Sequence, residues 1–92
     1  MNAARYEVYR RAVAATAAVD LSRAEREILR NAAEGMLLSR SAASEELREL
    51  DMAVSVVLAD VVAGRRLDAD DAERLKDLID ACGPAGVLAA AA

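Results

Sequence analysis

Residues 52–63 read MAVSVVLADVVA, and how that stretch is read decides the fold. Five valines between positions 54 and 62 lower helix propensity and would suit a strand. The spacing argues otherwise. Leu47, Leu50, Val54, Val57 and Val61 recur at steps of three and four residues, with Leu58 and Val62 widening the stripe. No partner strand pattern exists elsewhere in the chain, so the stretch is read as helix. Met52, Val56, Ala59 and Ala63 then form a second apolar row on the opposite side. A helix that is apolar on both sides has to bury both. Either it is the central helix of the molecule or its second row is an interface.

Working outward, this third helix begins at Glu45-Glu46-Leu47 and ends near Ala63, with Gly64 expected as its left-handed stop. The polar stretch 39–44 precedes it, with Ser41 or Ser44 as cap. A second helix starts at Ser22, where Glu25 three residues on completes a capping box. Its stripe is Ile28, Leu29, Ala32, Ala33, Met36 and Leu37. Gly35 lies at the edge of that stripe, and its cost of about 1 kcal/mol inside a helix is explained if another helix approaches closely there. A first helix spans about 2–19 with two apolar rows: Tyr6, Tyr9, Val13 and Ala17, and Val8, Ala12, Ala15 and Val19. A fourth is capped by Asp68 and carries Ala72, Leu75, Leu78, Ile79 and Cys82 inward, with Arg74, Lys76, Asp77 and Asp80 outward. It ends at Cys82-Gly83-Pro84, with Gly83 expected at the C′ position. The fold expected is an all-α antiparallel four-helix bundle with short connections. It forms one domain over 1–84, and 85–92 is an apolar C-terminal tail, as a short turn or frayed.

Composition narrows the chemistry. Leu, Ile and Val make 22 of 92 residues, enough for a core, whereas the 23 alanines add little buried area each. Such a core is thin, and a second copy or partner would add to it. Histidine is absent, which removes the side chain that titrates near neutral pH and the commonest metal ligand. Asp68, Asp70 and Asp71 do not begin a calcium loop, because Glu73 and Ile79 stand where the loop needs Gly and Glu. Cys82 lies on a core stripe with no His to activate it, and no glycine-rich phosphate loop exists. No enzyme activity, metal or cofactor is expected. The N-terminus lacks a secretory pattern and the apolar stretch at 52–63 is too short to span a bilayer, so a cytoplasmic protein is expected.

Residues 21–35, LSRAEREILRNAAEG, are similar to the opening of the LuxR-type helix-turn-helix domain. The shared features are Leu21-Ser22, Glu25-Arg26-Glu27, Ile28-Leu29 and Ala33-Glu34-Gly35. The resemblance implies a DNA-binding domain with a recognition helix soon after Gly35. Beyond position 35 this chain departs from the pattern: the next helix carries Glu45, Glu46, Glu49 and Asp51, which would repel phosphate. With the match confined to 15 of 92 residues, no family is assigned.

These residues are compatible with three functions. The first is a non-enzymatic helical protein–protein interaction module, self-associating through Met52, Val56, Ala59 and Ala63, with Tyr6 and Tyr9 as further interface residues because aromatics favour interfaces. The second is an acidic nucleic-acid mimic of the phage-inhibitor kind, binding a basic nucleic-acid-handling protein through Asp68, Asp70, Asp71, Glu73, Asp77 and Asp80. Residues 1–40 hold seven arginines against five acids, whereas 41–92 hold five basic groups against eleven acids, so the charge is uneven along the chain. The third is a DNA-binding regulator using Arg23, Arg26, Arg30 and Arg40 on phosphates, for which the acidic helix three is unfavourable.

Overall fold

The computed structural model describes residues 3–39 and 45–83. Within them lie four helices and no strand: α1 (Ala3–Ala18), α2 (Arg23–Leu38), α3 (Glu45–Ala63) and α4 (Ala69–Asp80). They pack together as an all-α four-helix bundle. The valine-rich stretch is helical throughout, because burial of its stripe outweighs its modest propensity. Residues 40–44 and 84–92, which include the expected Ser41 or Ser44 cap, Arg40, Pro84 and the tail, lie outside the described residues.

Local signals start two helices as expected. At α2 the Glu25 N–H donates to Ser22 Oγ over 3.1 Å while the Ser22 N–H donates to Glu25 Oε1 over 2.8 Å. At α4, Asp68 Oδ1 accepts from the Asp70 N–H at 2.9 Å, and the two acids of the first turn sit where the helix dipole favours them.

α2 and α4 touch each other and both touch α1 and α3, whereas α1 and α3 make marginal contact at most. The bundle is therefore a rhombus, with α1 and α3 at its far corners. Leu29, Val54, Val61 and Ile79 are fully buried between them. Gly35 is in close contact with α3, as expected: a Cβ there would stand 2.5 Å from Leu50 Cδ1. α1 contributes less than its two apolar rows suggest. Only Ala12 and Thr16 of this helix are buried, and the Thr16 hydroxyl donates to the Val13 carbonyl at 2.8 Å. Its core face is Val8, Tyr9, Ala12, Ala15 and Thr16, continued by Val19 just past its end, with Ala17 exposed.

An arginine closes each end of the bundle. Arg5, at the start of α1, donates through Nε to the Cys82 carbonyl at 2.8 Å and through Nη2 to the carbonyls of Met36 and Ser39, the latter at 2.9 Å. It thus satisfies carbonyls at the ends of α2 and α4. At the other end Arg66 makes a two-pronged pair with Glu25, at 2.7 and 2.8 Å, tying the α3–α4 turn to the start of α2. Hydrogen bonding by Arg66, and then by the Ser22 backbone, holds Glu25 down at about 2. Because that value is depressed in the folded chain, the contribution is complete at neutral pH and is lost as pH falls from about 4.5 towards 2. Acid titration of Glu25→Gln, followed by circular dichroism, is expected to show a shallower loss of stability in that window than the wild type.

Two helix ends differ from expectation. The left-handed residue after α3 is Arg65, with φ 58°, and no described glycine has positive φ. The Arg66 N–H reaches the Val61 carbonyl at 3.1 Å and the Arg65 N–H reaches that of Val62 at 3.0 Å, which is a Schellman motif placed one residue later than Gly64 would place it. Gly64 therefore needs no special backbone freedom, and an added Cβ there meets only ordinary contacts. Gly64→Ala is expected to leave stability unchanged or raise it by about 0.5 kcal/mol in denaturant unfolding. A loss of about 1 kcal/mol or more would return the left-handed position to residue 64. After α4 the cap is Ala81, so Gly83 lies beyond the C′ position and packs against Met36 instead.

Candidate interaction surface

α3 occupies a corner of the rhombus, so its outer side has no helix of the described residues against it. Its second apolar row falls on that half. Met52 is 68% exposed and Val56 57%, and Ala59 and Ala63 are exposed with them. Of the two readings of residues 52–63, the central-helix one is corrected: the described residues of the chain cover the Val54–Val57–Val61 side alone. Ile28, expected inside the α2 stripe, is 39% exposed. It lies beside Met52 and Val56 across a shallow groove of roughly 360 Å³ between α2 and α3. A second groove, of roughly 470 Å³, flanks the row on the α4 side, lined by Leu58, Ala59, Val62, Ala63, Ala69 and Ala72 together with Ser55, Glu73 and Lys76. The α3 ridge and its two flanks are mostly apolar, with Glu49 in one groove and Ser55, Glu73 and Lys76 in the other.

Tyr6 and Tyr9 are elsewhere. Their rings pair at 6.2 Å between centroids on α1, at the opposite corner, with Tyr6 46% exposed and Tyr9 packed against the core. They share no surface with Met52. Ile28 was the residue sequence reasoning missed, since its position on the α2 stripe is indistinguishable from a core position until the tilt of α2 on α3 is known.

The acidic group is partly committed within the fold. Asp68 caps α4, Asp71 pairs with Arg74 at 2.7 Å, and Asp80 accepts from Lys76 at 2.8 Å. Asp70, Glu73 and Asp77 remain as exposed carboxylates with no ion pair among the described residues. Asp80 and Lys76, expected to point outward, are half-buried: Lys76 bends back to bridge Asp80 with Asp51 of α3 at 3.0 Å. Burial raises the Asp80 carboxyl above the usual carboxylate range, while hydrogen bonding to Asp80 and then Asp51 raises Lys76. Among the arginines weighed for phosphate contact, Arg26 instead turns its Nη2 to the Val19 and Leu21 carbonyls, each at 3.4 Å, across the α1–α2 turn.

Cys82 is fully buried, and burial pushes its thiol up to about 11, so it is a core side chain and not a poised nucleophile. Among the described residues no cluster of three or more His, Cys, Asp or Glu side chains is placed to hold a metal ion, and no helix is long and apolar enough to cross a membrane. No family model, curated protein or solved structure matches this chain.

Proposed function

We propose that this protein is a small, non-enzymatic helical interaction module that self-associates through the outer face of α3. One observation supports the reading above the rest. Met52 and Val56, large apolar side chains one turn apart, stand open on the same face as Ala59, Ala63 and Ile28. Single exposed apolar residues are ordinary on a protein surface, whereas an apolar row flanked by two mostly apolar grooves is the kind of patch that marks interaction sites, which supports the reading. The thin core adds a motive: much of this chain is alanine, and covering the α3 ridge would give it apolar burial that four short helices alone lack.

The mass of the native chain across a dilution series tests this. The expected result is a concentration-dependent rise from 9.7 kDa towards a multiple of that mass. A 9.7 kDa particle at every concentration up to the millimolar range would overturn the reading.

A further inference from the structure

Resting on that reading of the α3 face, we infer how two copies meet: α3 packs antiparallel against α3 of a second copy, about a two-fold axis passing near residues 57 and 58. Two independent gradients along the outer face point to this. The first is size. The starting half of the face carries the bulky Met52 and Val56, whereas the finishing half carries Ala59 and Ala63, which line a groove together with Leu58, Val62, Ala69 and Ala72. The second is charge. Glu45, Glu46 and Glu49 outnumber Arg48 among the exposed residues at the start of α3, whereas Arg65 is exposed just past its end and Asp60 is the one exposed acid of the finishing half. Neither Glu49 nor Arg65 has an ion pair among the described residues.

A parallel pairing would set Met52 on Met52 and Glu49 on Glu49, which wastes the groove and juxtaposes like charges. The antiparallel pairing answers both gradients at once. It sets Val56 against Ala59, Met52 against Ala63 and Glu49 against Arg65 of the second copy. These three pairs share a midpoint in the chain to within half a residue, so one register satisfies them all. Large side chains of each ridge then seat over Ala59 and Ala63 and the apolar groove beside them on the other copy, which is how helices pack closely. The interface is isologous, so each charge pair occurs twice. Glu49 lies in the second turn of α3 and Arg65 two residues past its end, so the two charges bracket the apolar contact.

Charge reversal tests the register. Glu49→Arg and Arg65→Glu, each alone, bring like charges together twice per dimer and are expected to weaken self-association about tenfold at low salt. An equimolar mixture of the two single variants is expected to recover the wild-type affinity as a heterodimer, because both of its end pairs then join opposite charges. Native mass spectrometry distinguishes heterodimer from homodimers by mass. A mixture that associates no better than either variant, while the wild type self-associates, overturns the antiparallel register and leaves the α3 interface standing. A wild type that is monomeric throughout overturns both.

Discussion

Arg5→Ala is expected to destabilise the fold by about 2–4 kcal/mol, since hydrogen bonds from a charged donor contribute about 1.5–3 kcal/mol each and are not additive. The side chain donates to the carbonyls of Cys82, Met36 and Ser39, so its loss leaves the ends of α2 and α4 without that donor. Little else compensates, because α1 buries only Ala12 and Thr16. For a chain of this length the effect is a fall of about 10–20 °C in unfolding midpoint, measured at one fixed protein concentration. Arg5→Lys keeps the charge but not the planar fork, and is expected to recover less than half of the loss. A midpoint within about 2 °C of the wild type for Arg5→Ala would show that α1 is held by packing alone.

The double substitution Met52→Glu with Val56→Glu is expected to weaken self-association by at least about a hundredfold, because each new carboxylate would have to be desolvated in the covered face. The stability of the single chain should hardly change, since in it both side chains are already largely open to water. Unchanged helicity together with a 9.7 kDa mass is therefore the expected outcome. Val54→Glu is the contrast: that side chain is fully buried although it lies only two residues from both Met52 and Val56, and the substitution is expected to unfold the chain. If the double variant associated as the wild type does, the interface would lie elsewhere.

What could be read from the residues divides along a physical line. Features fixed by neighbours in the chain were legible. The Ser22–Glu25 box, the Asp68 cap and the α3 stripe all depend on contacts within one or two turns, so spacing alone reveals them. Gly35 was legible for a related reason, as its helical cost had to be offset by close packing. Features set by how long side chains cross between helices were not. Lys76 projects outward on a helical wheel, yet its flexible stem reaches back to Asp51 of α3. Arg5 lies on the same stripe of α1 as Tyr9, Ala12 and Thr16, and a charge on a buried stripe is itself a signal that a helix end awaits a donor. The left-handed Arg65 escaped because glycine at 64 is the better residue for that conformation, and only the hydrogen bonds of the last turn show that the helix ends one step later. The candidate site was half legible: the Met52–Val56 row was visible as a pattern, but its exposure depends on α3 sitting at a corner of the rhombus.

The central claim is that protein, and not water, covers the methionine side of α3 in solution. Methionine oxidation reads this directly, because the chain carries its own control in Met36, which is 4% exposed where Met52 is 68%. With dilute peroxide and peptide mass spectrometry, the oxidation rate of Met52 is predicted to fall towards that of Met36 as protein concentration rises, while Met36 stays slow throughout. Rapid oxidation of Met52 at every concentration, with Met36 still protected, would contradict the account.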